Sequence, residues 1–253
     1  YKKDIHIKTK NGSVSCGKLV FAINAWTPNF LPFLSRSAVL VSSDMIISEP
    51  IKYQLQSLGL NNGLVILDSN LFTHYSRTTP DGKIILGKGG NTFSFRNKVI
   101  DSFDGPSTIE KLLKKSLLSF YPSLKDAKIT TSWNGPSERT KTGFPFFGYH
   151  PKNKNISYAF GYSGNGVLTC HVGGEILSSM TLDENNKWTD SNFCKGPLKN
   201  FPPEPFRWLG AMIIRNAVRR KENAQEKEIN PKWIDKQLAK IAVSVGRVDF
   251  EKK

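Results

Sequence analysis

The sequence predicts a mixed fold, α+β with an α/β part: an antiparallel sheet with flanking helices, joined to a strand, tight turn and helix of the α/β kind. Three observations lead there. Between residues 39 and 90, short β-branched and aromatic runs are separated by turn residues at Gly63, Asp68-Ser69-Asn70 and Pro80-Asp81-Gly82, the pattern of antiparallel strands. Over residues 107–120 the apolar residues repeat with helical spacing instead. Near residue 160 an apolar run passes through a glycine-rich turn directly into a second helical pattern.

Each element follows in order. Ile5 and Ile7 alternate with polar residues, Asn11-Gly12 turns the chain, and Val14 leads on to a buried run over residues 18–23; together they read as a hairpin whose second arm ends in Asn24-Ala25-Trp26-Thr27-Pro28. Such an exit into small residues and a proline bend suits ligands gathered beyond strand ends, and equally an ordinary strand-to-loop exit. Short strands are expected over residues 39–41, 45–47, 64–67, 71–75 and 83–86. Ser107 with Glu110 three residues on has the sequence of a capping box, Leu113 and Leu117 share the apolar face behind it, and Pro122 ends the helix. Residues 128–133 read as a strand, 134–145 as a loop and 156–160 as a strand.

The turn that follows carries glycines at 161, 164 and 166. Their spacing is not the G-x-G-x-x-G dinucleotide fingerprint, and no Lys-Ser/Thr pair closes a P-loop. What it supports is a set of backbone N–H groups, those of Gly164, Asn165, Gly166 and Val167, at a helix N-terminus and aimed at something electron-rich. A tight turn needing positive φ accounts for the same glycines.

Composition sets bounds. With 253 residues, 38% of them hydrophobic, the chain has enough apolar side chain for a core, which excludes wholesale disorder. No apolar run approaches the roughly 18 residues that span a bilayer as a helix. Three cysteines form no disulfide framework, fitting a reducing compartment and an expected cytoplasmic location. The four histidines show no metal-ligand spacing, and no G-x-S-x-G elbow marks a hydrolase. The net charge of +15 raises nucleic acid as a partner, but the lysines are scattered rather than clustered with aromatics, so no specific nucleic-acid binding is expected. From residue 195 onward the chain is denser in charge, with 14 basic and 7 acidic residues. After Pro202-Pro203-Glu204-Pro205 a basic amphipathic helix is expected, with Phe206, Leu209 and Ile213 apolar and Arg207, Arg215, Arg219 and Arg220 polar. It would dock on its own protein, the usual case, or on nucleic acid, or make weak contact with an anionic surface.

Taken in order, four segments resemble the carboxyl-terminal part of FAD-dependent oxidoreductases of the D-amino acid oxidase and glycine oxidase family. They are Leu19-Val20-Phe21-Ala22-Ile23-Asn24-Ala25-Trp26; Arg77-Thr78-Thr79-Pro80-Asp81-Gly82-Lys83 with Leu86-Gly87; Trp133-Asn134-Gly135 with Thr140 and Pro145-Phe146-Phe147-Gly148; and Tyr158-Ala159-Phe160-Gly161-Tyr162-Ser163-Gly164-Asn165-Gly166-Val167. The resemblance covers about residues 4–182, and the tail over residues 201–222 is similar to an extension of some members.

The resemblance implies an antiparallel substrate-domain sheet plus the closing strands and helix of an incomplete, Rossmann-like FAD-binding domain. Residues 1–35 would be that domain's late hairpin, 36–132 the substrate sheet, 133–182 the return to the FAD-binding domain and 183–253 a basic extension. It implies FAD, with contacts from Ala25, Trp26, Gly135, Gly161 and Ser163 and from the 164–167 amides. No cysteine lies in residues 134–148, so noncovalent FAD is implied. The amino-terminal G-x-G-x-x-G of the family is absent from these residues, which implies a partial chain, or a truncated product binding FAD weakly by itself. The expected activity is oxidation of a C–N bond of an amine or amino acid derivative by hydride transfer to flavin. Tyr75 and Arg77 are the substrate-binding candidates, Arg77 being equally readable as a partner of Asp81, and Lys88 would lie near the flavin ring. Thr142 stands where the family often has Asp, and Leu168 where amino acid oxidising members commonly have a basic residue, which favours an amine or a bulkier N-substituted substrate. A noncatalytic remnant, or a fragment dependent on another chain, is the competing expectation.

Overall fold

The structure, a computed structural model, describes residues 4–197 and 199–244. Residues 1–3, at the start of the expected hairpin unit, and 245–253, at the end of the expected extension, lie outside the described residues.

Strands β1 (Ile5–Thr9) and β2 (Gly12–Cys16) form the antiparallel ribbon that the alternation predicts. Strand β3 (Leu19–Phe21) is not part of that hairpin. It leaves for a second sheet of order β3-β10-β9, where it runs parallel to β10 (Asn153–Phe160), itself antiparallel to β9 (Phe146–His150). A two-stranded ribbon buries little apolar surface, whereas Phe21 packs beside Leu31, Leu34, Phe146 and Phe160. Between β3 and the next strand lie two 3-10 turns (Asn24–Trp26 and Pro32–Leu34) and, between them, the short α1 (Thr27–Phe30).

The third sheet has the order β5-β6-β7-β4-β8 and is antiparallel throughout. Its strands are β4 (Ala38–Ser48), β5 (Val65–Leu67), β6 (His74–Thr78), β7 (Ile84–Phe93) and β8 (Ile129–Thr140), with α2 (Lys52–Ser57) and α3 (Glu110–Phe120) packed on one side. The expected strands 39–41 and 45–47 are one strand, β4. Ser42-Ser43-Asp44 interrupts the hydrophobic pattern without interrupting the strand because each polar side chain is satisfied. Ser42 Oγ donates to Asp44 Oδ2 (2.7 Å) and accepts from the Thr92 N–H, while Ser107 Oγ donates to Asp44 Oδ1 (2.7 Å). Ser107 is therefore tied to the sheet. It accepts the Ile109 N–H at 3.2 Å, Glu110 accepts the Ser132 hydroxyl, and the helix starts at Glu110 without the expected capping box.

The expected loop over 134–145 is strand as far as Thr140, paired residue by residue with β4. The expected domain boundary at 132/133 consequently falls inside β8. After β9 and β10 comes α4 (Gly166–Thr181), and then α5 (Phe206–Glu226) and α6 (Trp233–Ser244). The tail docks on its own protein through the arginines that made it look like a binding surface. Arg207 bonds Glu204 and the Ser35 and Ala38 carbonyls, Arg215 and Arg219 bond Asn91, and Arg220 pairs with Asp235. Among the described residues no helix is long and apolar enough to cross a membrane, and no cluster of metal-ligating side chains forms.

Candidate functional site

Successive side chains of a strand point to opposite faces, so the register of the large sheet sorts its residues. Ile46, Ile84 and Leu86 face α2 and α3, where they bury against Leu55, Leu113 and Leu117. On the opposite face, Ser43 stands between Gly89 of β7 and Gly135 of β8, and Met45 between Gly87 and Trp133. Tyr75 of β6 is opposite Gly87, and its hydroxyl lies 2.5 Å from Ser43 Oγ. Gly87 is required there, because a Cβ would run into the Met45 sulfur and the Tyr75 ring. A Cβ at Gly135 would meet nothing within 4 Å, so the face is bare at that point. Burial raises the Tyr75 phenol above its ordinary pKa, although the Ser43 hydrogen bond pulls it down.

Arg77 shares this face by parity but is exposed. Its alternative role as a partner of Asp81 is not observed, since Asp81 takes Lys83 Nζ at 2.7 Å and the Thr79 hydroxyl. Lys88 is one residue out of phase with Gly87 and Gly89 and so points to the other side, where Nζ donates to the Phe72 carbonyl (2.8 Å) and lies 4.0 Å from Glu222. Lys88, expected near the flavin ring, thus projects away from the face that carries Tyr75.

The glycine-rich turn is clasped by β8. The Glu138 carboxylate accepts the Tyr162 N–H (2.7 Å), and the Thr140 N–H donates to Ser163 Oγ (3.1 Å). Burial pushes the Glu138 carboxyl upward, against the pull of its hydrogen bonds and of Arg139. Gly161, Ser163 and Gly164 all have positive φ, so the first two glycines serve the turn, while Gly166 begins α4. The four expected amides are not equivalent. The Asn165 N–H donates to the Tyr162 carbonyl (2.9 Å) and is spent on the turn, whereas Gly166 and Val167 stand in the first helical turn, whose N–H groups have no intrahelical acceptor. Val167 is fully exposed and Leu168 is 82% exposed.

Ala25 is a core residue, 1% exposed and packed with Leu40 and Phe103, so its side chain takes no part in a site; Trp26 beside it is 42% exposed. The residue that sequence reading missed is Arg139. It has the parity of Gly135 and of Val39 opposite, and its guanidinium occupies the space a Cβ on Gly164 would fill and lies near Gly89. With the segment read as a loop, no alternation pointed to it. Burial lowers its pKa, partly offset by the charges of Glu138 and Tyr75.

The site therefore brings together Tyr75, Ser43 and Gly135, and joins them through Arg139 to the turn at Gly164 and the open end of α4. Two surface clefts, of about 270 and 300 Å³, lie elsewhere, one lined by Lys52, Leu60 and Arg77 and the other by Asn70, Lys221 and Glu222. Neither contains a residue of the turn, and the bare face rather than a cleft is the candidate. Its donors fit a flavin: helix-terminal amides suit an electron-rich carbonyl edge, and a glycine-floored face leaves room for a flat ring.

Comparison with known proteins identifies the family and the fold. The family described as FAD dependent oxidoreductase matches residues 2–180. The chain is 26% identical over 188 residues to the probable oxidoreductase OrdL of Haemophilus influenzae, covering 72% of this chain and 40% of that protein. It is 27% identical over 211 residues to the gamma-glutamylputrescine oxidoreductase of Escherichia coli, covering 81% and 46%. Among solved structures, a modified fructosyl peptide oxidase from Aspergillus nidulans shares the fold with a TM-score of 0.64 at 16% identity, over 79% of this chain and 50% of that one. The chain thus spans less than half the length of these two curated relatives.

Proposed function

Because the chain belongs to the FAD-dependent oxidoreductase family, we propose that it supplies the substrate sheet and the closing edge of a flavin site that oxidises a C–N bond in an amine or amino acid derivative, with FAD held noncovalently. The observation that carries this reading is the meeting of the bare sheet face with the clasped turn and the open end of α4. In this reading residues 36–140 form the substrate unit, the ribbon, β3 and residues 141–182 belong to the nucleotide unit, and the tail from residue 183 is an appended brace.

The chemistry that bound FAD supplies is acceptance of a hydride from the carbon next to nitrogen, leaving an imine that water hydrolyses. The chain's own part is to bind and orient. Gly164, Gly166 and Val167 offer backbone N–H groups and the helix dipole to the electron-rich edge of the cofactor, a contribution of about 0.3–1 kcal/mol, and up to about 2 when partly buried. Ser163 and Glu138 hold the turn in register, Gly135 leaves the face open, and Trp26 offers an exposed apolar edge. Tyr75, fixed by Ser43, is the group placed to touch substrate, with Arg77 at the periphery.

The test is titration of the purified chain with FAD and with riboflavin, followed by quenching of flavin fluorescence. Both should bind with similar, weak affinity, since these residues carry no dinucleotide fingerprint. Gly164→Val should weaken both, because the turn needs positive φ and the added side chain would collide with Arg139. Absence of any flavin-dependent quenching in the unmodified chain would refute the reading.

A further inference from the structure

The tail lies beyond the part of the chain that the family matches, which ends at residue 180, and its docking on the sheet leaves one helix face over. Helix α5 is held from the sheet side. Arg215 and Arg219 bond Asn91, and the buried Glu222 accepts the Phe72 N–H at 3.1 Å. Helix α6 is held by α5 in turn. Asp235 and Ala239, four residues apart and so on one line of the helix, are buried, and Asp235 takes the Arg220 guanidinium at 2.6 Å. The only acid within α6 is thereby turned inward and neutralised.

The outward side reverses the usual pattern of a surface helix, which is apolar within and polar without. Trp233 is 70% exposed, Ile234 52%, and Ile229, on the approach to the helix, 60%. Lys236 and Lys240 follow Trp233 at i+3 and i+7, which sets them along the same side, and Lys232 stands just before it. Among the described residues none of these three lysines forms an ion pair, and the Lys236 ammonium meets only the neutral Asn230 side chain, at 2.6 Å. The exposed acids Glu226 and Glu228 belong to the end of α5 and the connection, not to this line. A second copy of the chain would cover the apolar side chains, but a symmetric contact would set like cations along one seam with no acid to meet them. Nucleic acid would answer the lysines, but one exposed indole beside two isoleucines is no stacking platform for successive bases. An anionic bilayer satisfies both halves, since indole and aliphatic groups settle at headgroup level while ammonium groups stay on the lipid charges.

We propose that the outward face of α6 docks reversibly on the anionic surface of a lipid bilayer, with Ile229, Trp233 and Ile234 among the headgroups and Lys232, Lys236 and Lys240 on the lipid charges. At 12 residues the helix is about 18 Å long, too short to span a hydrocarbon core of about 30 Å, so it lies in the plane of the interface. The basic tail then has two parts with different duties. The α5 arginines fasten the tail to the protein, and the α6 lysines fasten the protein to a membrane. This goes beyond the flavin-site reading and does not depend on it.

The test is co-sedimentation of the 253-residue chain with vesicles of phosphatidylcholine alone and of phosphatidylcholine carrying about 30% phosphatidylserine, which supplies a negative surface potential. The chain should bind only the anionic vesicles, release as salt is raised well above about 0.15 M, and show a blue shift of tryptophan fluorescence on binding. Trp233→Ala should weaken binding about tenfold by loss of buried apolar area and remove most of the blue shift. Lys236→Gln and Lys240→Gln should each weaken it about fivefold. None of these side chains is buried, so circular dichroism of the variants should match that of the unmodified chain. Equal binding to both kinds of vesicle, or binding to neither, would overturn the proposal from the unmodified chain alone. So would binding to anionic vesicles that Trp233→Ala leaves unchanged, since the contact would then be diffuse charge and not this face. Two further results would overturn it by naming another occupant. A dimer in analytical ultracentrifugation that Trp233→Ala dissolves, without vesicle binding, would assign the face to a second copy. Binding of a single-stranded oligonucleotide that Trp233→Ala weakens, again without vesicle binding, would assign it to nucleic acid.

Discussion

The two faces of the five-stranded sheet are built from the same strands, one residue apart in phase, and they serve opposite purposes. On one face Ile46, Ile84 and Leu86 meet Leu113 and Leu117 in a dry core. On the other, the corresponding positions are Met45, Gly87, Ser43, Gly89 and Gly135, with Tyr75 above them and Arg139 at the border with the glycine-rich turn. The packed face holds the sheet rigid, which allows the bare face to keep small residues and an unpaired cation that contribute little to folding. A site is cheapest to maintain where the opposite surface has already supplied the stability.

This contrast can be broken first from the packed side. Leu113 is fully buried, and Leu113→Ala should cost about 2–5 kcal/mol by loss of contacts and a residual cavity, read as a drop in the denaturant midpoint. If the cost were no greater than that of a change on the bare face, the division of labour would be wrong. From the bare side, Gly87→Val should cost about 1–3 kcal/mol by overpacking against Met45 and Tyr75. It should also move the Tyr75 ring, visible in its NMR signals, and a variant with unchanged Tyr75 resonances would contradict the geometry. Tyr75→Phe should be milder, about 0.5–1.5 kcal/mol for one hydrogen bond to Ser43.

An acid-pH measurement sharpens the same comparison, since Asp68 belongs with His74 on the packed side. Burial alone would raise the Asp68 carboxyl, but hydrogen bonds from the His74 ring and backbone and from Asn70 hold it below the ordinary value. A depressed carboxyl contributes its stability fully above the unfolded value of about 3.9 and loses it as pH falls through the lower folded value. The thermal midpoint of the unmodified chain should therefore fall more steeply below about pH 4 than that of Asp68→Asn, and parallel curves would dismiss the linkage. The smallest effect is expected at Val167, whose side chain is fully exposed at the head of α4. Val167→Ser should change stability by no more than about 0.5 kcal/mol, and a larger loss would mean that the side chain already has a partner in this chain.

Parts of this arrangement were legible from local pattern. The helix over Leu113 and Leu117, the passage from strand through glycine turn to helix at residues 160–167, and the basic amphipathic tail all rest on spacing within a few residues, and each is present. The misreadings share one cause. Ser42-Ser43-Asp44 looked like a break, and residues 134–140 like a loop, because polar residues that find partners across a sheet are indistinguishable in sequence from polar residues that face water. The tail docks on its own protein as expected, but four of the arginines read as its polar face make internal bonds.

The sequence by itself determined the helix over Leu113 and Leu117, the glycine-rich turn with its following helix, and the family whose ordered motifs it carries, because those depend on short-range periodicity and on residue type. Only the tertiary structure decided which residues share the bare face. Tyr75, Ser43, Gly135 and Arg139 are far apart in the chain, and their meeting depends on the register of β4 with β7 and β8, where a shift of one residue sends every side chain to the opposite face.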